Sequence, residues 1–465
     1  MPTERRGRHV QPALLYWALV SVVVLAPLPF GSNHPWSWSL LALAVGLLLI
    51  ATAIRALAAG HAEPEGWSRL VGPAVLLVPI LAWLAFQASG LGPEAWRHPA
   101  WGEAAGGLRR ATGGAISLDP EAGWTILMRL LTYAGVLALA VEVGRRPGRA
   151  RRSFWALAIA GAAYALYGLV IHLGGHGTIV GVPKWAYFGD LTSTFVNRNH
   201  YAAYAGLGLI VALTLLVVEI RAIRRRAGGD VFRIVDRLTP QLFLLVAILA
   251  VLATALLWTR SRGALLATGI GIAAFLATLV AAREIRGRAG LAIVAAGLTL
   301  ALVVMAVASD VTLARFSHAA LEIEGRAALN GLTIGAIADR PLLGGGLGAY
   351  PAIFQLHRTD AFPFHLPRHD QAHNSYLELA AEAGVPAALA ILALVGWLVV
   401  RLLRRNPADA RSTLYAAAGI GATVLVAVHA LVDFSLQIPA IATTYFMILG
   451  LALSRAQPPT AVSGD

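Results

Sequence analysis

The chain returns twelve times to an apolar run of about twenty residues, near 12–30, 36–59, 70–89, 124–143, 153–173, 199–219, 241–258, 264–282, 290–308, 380–402, 412–432 and 439–454. A helix rising ~1.5 Å per residue needs about twenty residues to cross ~30 Å of hydrocarbon. In hydrocarbon a segment must satisfy its own backbone polar groups, so each run is expected to be helical. Only 13% of the 465 residues are charged and 58% are hydrophobic, too little charge to coat a soluble globule of this size. The expected fold is an all-α polytopic membrane protein of about 12 transmembrane helices. The absence of cysteine excludes disulfides, thiol nucleophiles and thiolate-held metals. The basic start Met1–His9 is followed by a long apolar run without a small-residue cleavage site, which reads as a first span, not a removable leader.

A net charge of +13 raises the question of nucleic acid, and topology answers it differently. With the N-terminus in the cytoplasm, the short inside connections carry 24 of the 37 Lys and Arg, among them Arg145–Arg152 and Arg221–Arg226. That asymmetry is the positive-inside pattern, so the expected partners are membrane lipids and no nucleic acid. Both termini then lie in the cytoplasm. Four blocks follow: 1–150 with spans 1–4, 151–308 with spans 5–9, a long extracytoplasmic loop at 309–375, and 376–465 with the last three spans and the tail. Within the loop, apolar residues at helical spacing predict a helix over Glu324–Asp339, stopped by Pro341. The glycine run Gly344–Gly348 lacks the Lys-Ser/Thr of a phosphate loop and reads as a chain reversal. Two other outside segments are long: Gly90–Gly123, with Trp96 and Trp101 suited to the headgroup level, and Gly174–Arg198.

Four polar constellations fall at the outer ends of spans. Asn197-Arg198-Asn199-His200 opens the sixth span; Arg198 could grip a phosphate bidentately or simply reach the headgroups, with Asn197 and Asn199 as caps. Arg260-Ser261-Arg262 forms a short turn with two guanidinium groups on the side that usually lacks them, which favours an anion site. His373-Asn374-Ser375-Tyr376-Leu377-Glu378 leads a polar loop back into an apolar helix. A cap by Asn374 or Ser375 and a dipole role for Glu378 account for part of that motif but not for His373, whose ordinary pKa of ~6.5 suits proton exchange. The pair His429 and Asp433 ends the eleventh span, where Asp433 could balance His373 or pair with an outer Arg. A metal held by His365, His369, Asp370 and His373 is the competing chemistry. Pro367 interrupts any continuous helix there, and no Glu falls inside the His-to-His interval, so no metal or other cofactor is expected.

In order along the chain, Phe195–Tyr201, Arg260–Ala264, Asp339-Arg340-Pro341 through Gly348, and His373–Glu378 with Glu382-Ala383-Gly384-Val385-Pro386 resemble the O-antigen ligase family, over roughly Ala160–Leu453. The resemblance implies a metal-independent glycosyltransferase of the bacterial inner membrane. It would take a glycan from an undecaprenyl-diphosphate donor on the outer face and pass it to a glycan, lipid or protein acceptor. The family's essential arginines correspond to Arg198 and Arg262 and its loop histidine to His373. Arg260, Arg326 and Asp433 correspond more loosely, and the stretch His357–His369 has no counterpart. On this expectation the arginines meet the leaving diphosphate, His373 takes the acceptor's proton, and Asp433 or Glu378 holds its tautomer; Asn199, His200, Asn374 and Tyr376 line the substrate site. A secondary transporter is the rival class, expected to place ionisable groups at mid-membrane, where Arg129 is the clearest buried charge.

Overall fold

The computed structural model describes residues 13–456 apart from 61–62, 65, 110–112, 229–236, 285–313, 360–361, 363–368 and 405–409, with the backbone alone at 147, 314–324 and 410. The chain is a helical multi-pass membrane protein. Ten helices among the described residues are long and apolar enough to cross a membrane. In chain order the helices are α1 (Ala13–Leu25), α2 (Pro35–Ala58), α3 (Val71–Ala88), α4 (Ala100–Leu108), α5 (Pro120–Gly144), α6 (Pro147–Leu173), α7 (Arg198–Arg226), α8 (Pro240–Trp258) and α9 (Arg262–Ala281). They continue with α10 (Ala314–Asp339), α11 (Tyr350–Leu356), α12 (Ser375–Ala383), α13 (Val385–Leu403), α14 (Ala410–His429) and α15 (Pro439–Ala456). The run predicted at 12–30 is a shorter helix, α1, because the chain turns through Pro27 and Pro29. The run predicted at 290–308 lies outside the described residues.

Helix starts follow from capping side chains. Asp119, Asn197, Thr239, Ser261 and Asn374 each accept a backbone N–H at the head of α5, α7, α8, α9 and α12. The run predicted at 380–402 is two helices. Gly384, at φ +83°, separates α12 from α13, and a Cβ there would stand 2.3 Å from the Leu342 carbonyl oxygen. The glycine run explains why. Gly345 and Gly346 donate their N–H groups to the carbonyls of Ala381 and Glu382 at 2.9 and 2.8 Å, so the backbone of the long loop lies directly against the end of α12. Gly344–Gly348 is thus a reversal that also makes a close backbone approach.

The helices sort by how much of each faces protein. In α15 and α14, 89% and 83% of the apolar window is buried, against 17% in α13 and 22% in α2, so the former pair is central and the latter face lipid. Small residues bring α9 and α14 together: a Cβ on Gly271 would meet the Gly421 carbonyl at 2.8 Å. Arg129, on α5, is buried but not unmatched. Its guanidinium lies 5.0 Å over the Trp38 ring and its Nε is 3.4 Å from Tyr133 Oη. Between α6 and α7, strands β1 (Thr178–Ile179) and β2 (Val182–Pro183) form a small antiparallel hairpin.

Candidate functional site

The turn 429–434, where α14 ends, gathers four other elements. From α7, the Asn199 side-chain amide donates to Asp433 Oδ2 at 2.6 Å, and His200 Nε2 lies 3.3 Å from Asp433 Oδ1, an ion-pair distance off the line of a hydrogen bond. From α9, Gly263 packs so closely that a Cβ would meet the Val432 side chain at 2.8 Å. From α10, Arg326 Nη1 approaches the Val432 carbonyl at 3.5 Å. From α12, Ser375 Oγ donates to the Asp433 carbonyl at 2.8 Å, Ser375 N–H to the Ala430 carbonyl at 2.9 Å, and Tyr376 Oη to the Ala427 carbonyl at 2.7 Å. The sequence-predicted residues Asn199, His200, Arg326 and Asp433 therefore meet at one turn, with Tyr376 tied to Ala427 near the end of α14 just before it. Asn374 caps α12, accepting from the N–H groups of Tyr376 and Leu377 at 3.1 and 3.2 Å.

Asp433 is fully buried. Burial opposes its charge, yet the imidazoles of His200 and His429 and the Phe434 N–H, at 2.7 Å, together hold its carboxyl below the usual range. Phe434 is the wedge between two histidines, its ring centroid 4.8 Å from that of His200 and 5.4 Å from that of His373.

His373 is held in the left-handed region at φ +52°, a conformation that costs a β-carbon-bearing residue about 1–3 kcal/mol and needs support from its surroundings. Its Nδ1 is buried without a hydrogen-bond partner. Burial lowers its pKa, reinforced by Arg326, His369 and His200 and opposed by Asp433, so the neutral imidazole is the favoured form. The expectation that Asp433 or Glu378 holds the His373 tautomer is corrected by the geometry. Asp433 bonds Asn199 and faces His200. Glu378 accepts the Ala372 N–H at 2.8 Å and the Gln437 side-chain amide at 2.6 Å, so it fixes the backbone before His373 instead of its ring. Burial pushes the Glu378 carboxyl up to about 7 and raises Glu382, one turn on, well above its ordinary value.

The arginines form a second group beside the first. Arg198 Nη1 lies 2.9 Å from Asp190 Oδ2, and Arg260 Nη1 lies 3.7 Å from Asp190 Oδ1. Lys184 Nζ donates to the Asp190 carbonyl at 2.7 Å. Two guanidinium groups thus share one carboxylate while Lys184 holds the backbone of the same residue, an excess of positive charge suited to an anion. Arg262 begins α9 with its side chain exposed. Sequence reasoning missed Asp190 and Phe434; the one sits in an irregular loop with no motif, and the other is an ordinary apolar residue in sequence. Of the metal alternative, His365 lies outside the described residues, and among the described residues no group of three or more His, Asp or Glu gathers to hold an ion.

Residues 245–392 match the family described as O-antigen ligase. The matched stretch holds Arg260, Arg262, Arg326, His373, Asn374, Tyr376 and Glu378, while Arg198, Asn199, His200 and Asp433 lie outside it. No curated protein sequence matches the chain.

Proposed function

From the O-antigen ligase domain that the chain carries at residues 245–392, we propose that it transfers a glycan from an undecaprenyl-diphosphate donor to an acceptor hydroxyl on the outer face of the bacterial inner membrane, with both termini in the cytoplasm. The observation that carries this reading is the convergence of His373, His200 and the arginine-bearing ends of α7 and α9 on the 429–434 turn.

His373 serves as the base. Its lowered pKa keeps the imidazole neutral near pH 7, and its unpartnered Nδ1 leaves a lone pair or proton uncommitted to the protein. The acceptor oxygen attacks the anomeric carbon as His373 removes its proton, and the bond to the diphosphate breaks with inversion. The leaving diphosphate gathers negative charge as that bond lengthens. Arg198, held by Asp190, and Arg262, exposed at the start of α9, meet that charge with guanidinium donors, a well-placed donor being worth several kcal/mol in a partly dehydrated site. Arg260 shares the Asp190 anion site with Arg198, and Arg326 holds the turn that faces His373. No step calls for a metal or cofactor. Ligase, polymerase and protein O-glycosylation chemistry share this donor half and differ only in whose hydroxyl attacks.

The test is transfer by purified protein from a lipid-diphosphate glycan donor to candidate acceptors. His373→Ala should insert normally and transfer nothing. Full transfer by that variant would remove His373 as the base, and failure of the wild type to consume any lipid-diphosphate donor would remove the donor assignment.

A further inference from the structure

A cavity of about 620 Å³ lies apart from the His373 cluster, between residues 95–103 and the 336–357 part of the long loop. That volume is in the range of small-ligand sites. The walls are fastened together by Arg340, which donates to the carbonyls of Gly344, Arg97 and Trp96 at 3.1, 3.2 and 2.7 Å. Its guanidinium is therefore spent on the scaffold. Leu342, Leu343, Ile353 and Leu356 supply apolar surface. Around them stand groups of both signs: Arg97, whose Nε is buried without a partner, Glu103, and Asp339, whose carboxylate lies 3.0 Å from His357 Nε2. His98 adds no charge near neutrality, because burial, with Arg340 and His357 nearby, lowers it to about 4.

This mixture discriminates between ligands. A phosphate would face two carboxylates with one uncommitted guanidinium. An acyl chain would cover the polar groups of Arg97, Glu103 and Asp339 and return no hydrogen bonds. A neutral sugar fits, since its hydroxyls can accept from Arg97 and donate to Asp339 and Glu103 while its C–H faces rest on the leucines. We propose that this cavity is a glycan subsite that holds a short uncharged stretch of one of the two substrates of transfer. The proposal rests on the glycosyl-transfer reading above. Helix α12 connects the two places: Ala381 lines the cavity, and Ser375, beside His373, begins the same helix, about 9 Å away along its axis.

The test uses the full-length protein in detergent and two probes, the neutral oligosaccharide released by mild acid from the cell's lipid-linked donor and the delipidated acceptor glycan. Saturation-transfer NMR should show one of them bound. Ala95→Trp, which fills the mouth from an exposed position, and Asp339→Asn, at a side chain 70% exposed and so without consequence for folding, should each weaken that binding at least tenfold. In transfer assays both variants should raise KM for the same substrate and leave kcat unchanged; whether the donor or the acceptor KM rises names the source of the glycan. Binding of neither probe to the wild type, or undiminished binding to both variants, would overturn the subsite. His373→Ala should bind the glycan like the wild type while transferring nothing. A fully active His373→Ala that still binds would overturn the base assignment and leave the subsite standing.

Discussion

Asn199 donates its side-chain amide to Asp433 at 2.6 Å, joining positions 234 residues apart in the chain. The same carboxylate faces His200 at 3.3 Å and accepts the Phe434 N–H at 2.7 Å. It is the anion around which the turn is organised. Asp433→Asn keeps the shape but sets an amide donor against the Asn199 amide and removes the negative charge that His200 faces at 3.3 Å. Disrupting a buried, hydrogen-bonded charge of this kind costs about 2–4 kcal/mol. The variant should melt several degrees lower in detergent and transfer at least ten times more slowly. Wild-type melting together with full transfer would show that the turn does not depend on this charge.

The pH profile of transfer should carry the signature of His373. A base works when unprotonated, so activity falls as the pH drops through its pKa. Burial, aided by Arg326, lowers that pKa below the ordinary value of ~6.5. The acid limb of the kcat/KM profile should therefore lie below pH ~6.5 and vanish from the residual activity of His373→Gln. An acid limb above pH 7 would mean that a different group takes the proton.

Asp190 sits on the arginine site, with Arg198 at 2.9 Å and Arg260 at 3.7 Å. A diphosphate must compete with it. A partly exposed pair of this kind is worth up to about 1 kcal/mol, so Asp190→Ala should lower the donor KM by up to ~5-fold. Arg198→Ala should raise it. Arg262→Lys should slow transfer at least tenfold, because an ammonium lacks the planar two-donor fork. Unchanged donor turnover in Arg262→Lys would make Arg262 a surface anchor. A higher donor KM in Asp190→Ala would mean that Asp190 orients the arginines instead of competing for them.

Most of the helical layout was legible because hydrocarbon imposes length and composition on every span. Where tertiary contact decided, the sequence was silent. Nothing local marks Gly384 as a break inside a run that is otherwise apolar from 380 to 402; the break exists because the Leu342 carbonyl comes within 2.3 Å of where a Cβ would stand. The polar clusters were legible one by one, since an Asn-Arg-Asn-His or a His-Asn-Ser-Tyr sequence stands out beside an apolar helix. Their pairing was not. Asn199 looked as suited to capping as Asn197, yet Asn197 caps α7 and Asn199 reaches Asp433. Asp190 was invisible because its meaning depends on two arginines that fold toward it from distant parts of the chain, Arg198 at the head of α7 and Arg260 in the turn between α8 and α9.

Glu378 and Glu382 provide the last prediction, through stability instead of rate. Both carboxyls are buried on α12, and Glu378 accepts from Ala372 and Gln437 while Glu382 accepts from Tyr350 N–H at 2.9 Å. Burial raises Glu378 from 4.5 to about 7. Between those values the folded protein holds a proton that the unfolded chain has released, so stability is full below pH ~4.5 and falls as pH rises through the folded pKa. The loss attributable to Glu378 is of order 1–3 kcal/mol by pH 8. His373 contributes the opposite slope at lower pH, since its depressed pKa makes the folded state bind fewer protons than the unfolded one. The informative quantity is therefore the difference between the wild type and Glu378→Gln, whose amide mimics the protonated carboxyl. Melting measured from pH 5 to pH 8 should show the variant gaining on the wild type as pH rises. A gap that stays constant across that range would mean that Glu378 does not titrate within it.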